Sequence, residues 1–392
     1  MVVLKRSLLA ATVAFAGLAG GLSDFSAYLS RREVTIEASS DDLQVDNKGA
    51  YMRAAKLENN DILGVYTVID DSVATIRTVR SSDGAESWES LGSVSKGPSS
   101  TSDIDNAFPL QLPDGRLLVA FRNHNKEEGT QNSFTWYRIT LCESTDGGKT
   151  WRYVSQIAER QATGSNGLWE PFLRLAEDGS LQAYYSLEHS SNDQSNVMKT
   201  SKDGGKTWSN LVQVSGTDAD ARDGMVGVAD TGNGTLMCVF ESTEIGRMSI
   251  HYVLSGDDGK TWNNRTLLYE AKDNGLAGAP QIINVGGTLV VSFMSTERRS
   301  STDIDGGEQR IVTSSDGGAT WGDPYVLSGM GSHWPGLMAL NNDEFLSLYS
   351  TDKEGMLSHR HRVVADSAES GEPEDPESTA PPNPDDVPTI YE

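Results

Sequence analysis

The chain has 392 residues, 32 Lys and Arg against 56 Asp and Glu, a formal charge of −24 and only two cysteines. So acidic a surface repels phosphate backbones and anionic lipid, which argues against nucleic acid and membrane partners. Two cysteines cannot staple a disulfide scaffold and no Cys/His group has zinc-ligand spacing, so neither metal nor cofactor is expected.

In chain order, Lys5 and Arg6 precede the apolar run Leu8–Leu22, the layout of a secretory leader over 1–22. The run is short and glycine-rich beside the roughly 20 apolar residues that a spanning helix needs. Arg31-Arg32 reads either as the cut site of a pro-segment over 23–32 or as an ordinary solvated pair. Secretion to the extracellular space is expected, and sequons at Asn233 and Asn264 agree with it.

From Glu33 the sequence turns into strands. The REVTIEA segment alternates as a strand should over Glu33–Ala38. Next comes a repeat: a turn, an apolar anchor, and an aromatic residue four places on. The anchors are Ile62, Leu117, Leu181, Leu236, Leu289 and Phe345, and the aromatics are Tyr66, Phe121, Tyr185, Phe240, Phe293 and Tyr349.

An octamer recurs between these units, as SSDGAESW, STDGGKTW, SKDGGKTW, SGDDGKTW and SSDGGATW, ending at Trp88, Trp151, Trp208, Trp262 and Trp321. Its Ser and Asp suit a tight turn, its fifth residue calls for a left-handed conformation, and its Trp opens the next strand. The first copy carries Ala85 where glycine is expected. Intervals of 54 to 63 residues between the tryptophans suit one four-stranded propeller blade.

In the second unit the strands are placed at Phe108–Leu112, Arg116–Asn123, Tyr137–Glu143 and Trp151–Ile157. The third has Glu170–Leu175, Leu181–Glu188, Val197–Ser201 and Trp208–Ser215. Only three strands follow the last octamer, near Trp334–Leu340, Phe345–Ser350 and Met356–Val364, so Glu33–Ala38 is assigned as the missing fourth. The expectation is an all-β, six-bladed propeller over 33–365 with no second domain. Residues 366–392, acidic and proline-rich without Lys or Arg, are expected to be a solvated, disordered tail. Cys142 and Cys238 fall in non-adjacent blades and are expected as free thiols.

A repeated scaffold betrays its site where the repeats disagree. The position after each aromatic holds Thr67, Arg122, Ser186, Glu241, Met294 and Ser350. Eleven residues before each anchor stand Tyr51, Asn106, Glu170, Met225, Gly278 and Trp334. Each column holds one acid. Glu170, in LWEPFLRL, has apolar neighbours that would raise its pKa as a general acid requires, and Glu241 ends the apolar strand MCVFES. Two carboxyls at one rim are the minimum equipment for glycoside hydrolysis. The competing reading pairs each with an arginine such as Arg122, Arg174 or Arg53. Asp103, Asp105 and Asp223 are further candidate acids. Tyr51, Trp334, Trp169 and Tyr349 are candidate sugar-stacking or pocket aromatics, with Asn106, Arg53 and Arg122 as polar contacts. His124 and His333 are poor candidates for catalysis.

The octamer Ser-x-Asp-x-Gly-x-Thr-Trp resembles the Asp-box, or BNR repeat, of sialidase-type propellers, in which the box lies away from the active site. Sialidases bind their substrate carboxylate with three arginines. Arg53 in YMRAAKL is similar to the first, but Ser186, Met294 and Ser350 stand where others would be sought. The chain resembles more closely the secreted fungal exo-arabinanases of glycoside hydrolase family 93, over most of 33–365. That resemblance implies a retaining, exo-acting enzyme that frees arabinobiose from α-1,5-arabinan, with Glu170 of LWEPF as acid/base and Glu241 of VFES as nucleophile. A sialidase-like glycosidase, or a non-catalytic propeller binding glycan or protein, remains the alternative. A monomer is expected.

Overall fold

The computed structural model describes residues 34–365 apart from 131–132, 217–219 and 300. The expected leader over 1–22, the possible pro-segment with Arg31-Arg32, Glu33 and the expected tail over 366–392 lie outside the described residues. All assigned elements are strands, and they form six antiparallel sheets in a ring. Blades one to five occupy 50–98, 102–161, 168–215, 223–269 and 277–328. Blade six combines Ser332–Ala339, Glu344–Thr351 and Gly355–Ala365 with Val34–Ala38.

Closure by the N-terminal strand is as the alternating VTIEA segment requires. Val34 to Ala38 pair in antiparallel register with Ala365 to His361, so first and last strands share one sheet and close the ring. An additional short strand, Leu43–Asp46, pairs with the same partner and was not legible in the sequence. Acids at its two ends tie the seam: Asp42, just before it, accepts from the Tyr349 hydroxyl at 2.6 Å, and Asp46, its last residue, pairs with Arg77 at 2.7 Å.

What holds neighbouring blades together is a buried apolar cluster at each junction. Leu63, Val65 and Ile76 of blade one meet Leu117, Val119 and Phe121 of blade two, for example, and five equivalent clusters continue around the ring. Each octamer tryptophan enters the junction with the preceding blade: Trp88 against blade six, Trp151 against one, Trp208 against two, Trp262 against three and Trp321 against four. Cys142 and Cys238 are buried free thiols in two of these clusters.

The octamers close the turns between third and fourth strands. In the second copy Ser144 Oγ accepts from Gly148 N–H at 2.9 Å. Asp146 Oδ1 accepts from the amides of Lys149 and Thr150, and the Thr150 hydroxyl donates to Asp146 Oδ2 at 2.6 Å. The tryptophans end these turns rather than opening the strands, which start later; the outer strand of blade three is only Val212–Ser215. Conversely the inner strands outrun the expectation, with Ser102–Gln111 and Leu117–Lys126 in blade two.

Ala85 keeps the octamer geometry at φ 71° and donates to Ser81 Oγ at 2.8 Å. A Cβ in that region costs about 1–2 kcal/mol, more than the unfolded-state entropy that glycine restores. Ala85→Gly is therefore expected to stabilise by about 0.5–1 kcal/mol, read as a raised midpoint in urea unfolding at unchanged slope.

Candidate active site

The first strand of every blade carries a β-bulge near its start. Registers jump between Ala50 and Arg53, Asp105 and Phe108, Trp169 and Phe172, Gly224 and Gly227, Gly278 and Gln281, and His333 and Gly336. The residue that opens each bulge is non-glycine and left-handed: Tyr51 (φ 61°), Asn106 (53°), Glu170 (37°), Met225 (53°), Ala279 (55°) and Trp334 (52°). Such backbone costs about 1–3 kcal/mol per residue and is retained where a bulge must re-aim a side chain. Here the side chains are turned onto the ring axis.

Five of the six are those found by counting eleven residues back from the anchor. The fifth is Ala279 and not Gly278, because in blade five the anchor Leu289 pairs with Asn284, five residues before it, whereas in blades four and six the anchor pairs six residues back. The Gly286-Gly287 turn between the paired Val285 and Thr288 was the signal, and the fixed spacing passed over it.

The six bulge residues and their neighbours gather in two halves. A cavity of about 130 Å³ is lined by Ala50, Tyr51, Asp105, Asn106, Arg122, Glu170, Met225 and Trp334. Beside it, Tyr51, Met225, Ala279, Met294 and Ile304 pack into a buried apolar cluster edged by Met248, Leu276 and Trp334. One side of the axis is therefore acidic and polar, the other thioether and aromatic.

Glu170 lies at the polar side, half-buried. Burial pushes its pKa up to about 8; Arg122 opposes this, while the charges of Glu241 and Asp105 reinforce it. Glu241 sits further round the ring between Gly224 and Gly278, outside the cavity lining, and its Oε2 accepts from the Ala279 amide at 2.7 Å. Burial raises its pKa too, against the pull of that amide and of Arg222. Among the described residues neither glutamate has an ion-pair partner within 4.0 Å. The arginines proposed to neutralise them are engaged elsewhere: Arg122 with Asp103 at 3.1 Å and Asp105 at 3.2 Å, and Arg174 with Asp258 at 2.5 Å. Arg222, which the sequence did not single out, feels both glutamates and is held by Glu188 and Gln194.

Tyr51, Asn106, Arg122 and Trp334 line the cavity as the sequence suggested, and Asp105 joins them. Three others do not. Arg53 lies outside the lining, its guanidinium 3.9 Å from the Tyr51 ring centre and donating to the carbonyls of Met52 and Trp334. Trp169 packs edge-on against His124, Phe134 and Tyr137 in the junction of blades two and three. Tyr349 stands opposite the bulge of its blade, buried, and donates to Asp42. For Tyr349 the reason is strand alternation, which turns the repeated aromatic column between blades so that only the next residue reaches the rim. Asp223 is fully buried in a two-contact pair with Arg265, at 2.6 and 2.9 Å, and faces away from this chemistry. His124 is buried among aromatics and held neutral, its pKa lowered to about 2 by burial, and His333 bonds Asp305 at 2.6 Å. No group of three or more His, Cys, Asp or Glu among the described residues is placed to hold a metal ion.

The profile of the BNR repeat-like domain family matches residues 64–289 and 155–330. The chain belongs to that family. Among solved structures it is similar to the α-L-arabinanase of Penicillium chrysogenum complexed with arabinobiose, at 20% identity over 84% of this chain and 98% of that one, with a TM-score of 0.63. It is similar also to the family 93 α-L-arabinofuranosidase of Fusarium graminearum with arabinobiose, at 20% identity, 83% and 98% coverage and a TM-score of 0.65. The Hadza microbial sialidase Hz136 aligns at 16% identity, 82% and 66% coverage and a TM-score of 0.57. At such identities the likeness is one of fold. A search of curated proteins finds no match.

Two outcomes test this BNR-family site. Because folding raises the Glu170 pKa from 4.5 to about 8, its carboxyl is a destabilising element that grows as pH rises through that window and vanishes below it. Glu170→Gln should therefore be more stable than the parent by roughly 1–3 kcal/mol at pH 8 and equal to it near pH 4, measured by urea unfolding at both. Tyr349→Phe should cost about 1 kcal/mol through the lost Asp42 bond and leave substrate binding unchanged, read by unfolding and by KM.

Proposed function

We propose that this protein is a secreted, retaining glycoside hydrolase acting from the chain end on α-1,5-linked L-arabinan, with arabinobiose as its product. The observation that carries the reading is the unequal treatment of two unpaired carboxyls at one axis. Burial raises the pKa of both, but Glu241 receives a backbone N–H that favours its ionised form, whereas Glu170 has no such donor and is pushed up to about 8. That difference in donors divides the roles: Glu170 as acid and then base, Glu241 as nucleophile.

In the first step Glu170 protonates the departing glycosidic oxygen while a Glu241 carboxylate oxygen attacks the anomeric carbon. In the second the Glu170 carboxylate takes a proton from water, which displaces Glu241 and regenerates both groups. Tyr51 and Trp334, with ring centres 6.4 Å apart, offer apolar faces for a sugar's C–H side, and Asn106 with Asp105 supplies hydroxyl contacts.

A neutral substrate agrees with the site. Arg122 is the only arginine lining the cavity and is already shared by two aspartates, so the charge-assisted grip that a sialic acid carboxylate would need is missing there. The similarity to two arabinan-type structures that hold arabinobiose supports the sugar class. The leader over 1–22 supports export.

Product analysis on linear α-1,5-arabinan and on a sialoside, with the parent, Glu170→Gln and Glu241→Gln, tests the proposal. The expected result is arabinobiose from the parent and a fall of at least about 10³-fold in both variants, with the rate declining above about pH 8 as Glu170 ionises. Sialic acid release would replace arabinan by the sialidase reading. Inertness on both would favour a glycan-binding propeller.

A further inference from the structure

We propose that Arg222 is a positioning residue for the two-carboxyl chemistry: it ties the segment carrying Glu170 to the strand carrying Glu241 and presents one positive charge to both. The proposal rests on the glycosidase reading above and adds the residue that keeps the two acids in register.

Arg222 stands just before the first strand of blade four, Asp223–Asp230. Its main chain is fixed to the end of the Glu241 strand. The Arg222 N–H donates to the Thr243 hydroxyl at 2.9 Å and its carbonyl accepts from the Thr243 amide at 3.3 Å, two residues beyond Glu241. Its side chain crosses to blade three. Nη1 donates to Glu188 Oε1 at 2.7 Å and to the carbonyls of Ser190 and Ser191, and Nη2 donates to Gln194 Oε1 at 2.8 Å. Glu188 in turn accepts through Oε2 from the Gly167 amide at 2.9 Å, three residues before Glu170. Gln194 returns to blade four, donating to the Asp223 carbonyl at 2.8 Å. A Cβ on Gly224 would lie 2.8 Å from Gln194 Nε2 and 3.4 Å from Glu241 Oε1, so the clamp closes beside the Glu241 carboxyl.

A guanidinium suits this task because its donors leave a rigid plane toward two acceptors at once. A retaining pair works only within a narrow separation, and a misplacement of about 1 Å can cost on the order of 10²-fold in rate. Charge adds to the geometry. Burial raises the pKa of both glutamates, and Arg222 opposes this at each of them. Glu170 also faces Arg122, Asp105 and Glu241, with Tyr51 and Arg53 close enough to feel its charge. Glu241 faces the Ala279 amide, and Glu188 partly offsets Arg222 itself.

The test is the pH dependence of kcat and of kcat/KM on linear α-1,5-arabino-oligosaccharide for the parent, Arg222→Met, Arg222→Lys and Arg174→Met. Arg174 pairs with Asp258 at 2.5 Å across the same two blades on the octamer side, and so reports on the junction alone. Arg222→Met is expected to lower kcat by about 10²-fold with KM little changed. It should also move both limbs of the profile to higher pH, since each carboxyl loses a cation that favours its ionised form. Lysine restores the charge but not the two-armed hold, so the limbs should return to the parent's while kcat stays about tenfold low. Arg174→Met is expected to keep the parent's kcat and limbs. The lysine variant serves if methionine does not fold. Parental kcat in a folded Arg222 variant, unmoved limbs in the methionine variant, or an equal loss in Arg174→Met would overturn the role while leaving the hydrolase reading intact. A parent that cleaves no arabino-oligosaccharide removes both.

Discussion

Opposite each repeated aromatic, the innermost strand carries one residue too many. The two residues from Tyr51, Asn106, Glu170, Met225, Ala279 and Trp334 onward face Tyr66, Phe121, Tyr185, Phe240, Phe293 and Tyr349 respectively. The aromatic fills the junction between blades, and the extra residue is forced into a left-handed turn that points at the axis. Without the aromatic the bulge would have nothing to bend around. Without the bulge the axis would be lined by the small or apolar residues of an ordinary strand.

This arrangement separates stability from chemistry. Octamer turns and inter-blade clusters recur with little variation, and they lie between blades or at the turns joining third to fourth strands. The six bulge positions are free to differ because their cost is borne by the backbone, and each presents a different group to the same small space. An acid in blade three, an amide in blade two and a thioether in blade four thus become neighbours despite separations of more than fifty residues in the chain.

The electrostatics follow from that geometry. Glu170 and Glu241 come from different strand positions in different blades, one at a bulge and one at a strand end beside a bulge, so they inherit different donors. The Ala279 amide reaches Glu241 only because Ala279 is left-handed, and Arg122 is spoken for by Asp103 and Asp105 before it can quench Glu170. An acidic protein can in this way hold the pKa of one carboxyl up to about 8 by burial.

Local chemistry made the architecture legible in the chain. Turn residues and strand alternation act over a few residues, so the octamers, the anchors and the VTIEA strand announced six blades and their closure, and column counting found five of the six axial positions. Distances around the ring were beyond such signals. Whether Tyr349 meets a ligand or Asp42, whether Trp169 stacks on sugar or on His124, and whether Arg122 answers to Glu170 or to two aspartates depends on which blades touch. So too does the meeting of Ile304 with Tyr51. Local sequence determined the strands and their turns; closure of the ring decided the neighbours, because contacts across an axis are made by residues that no local periodicity relates.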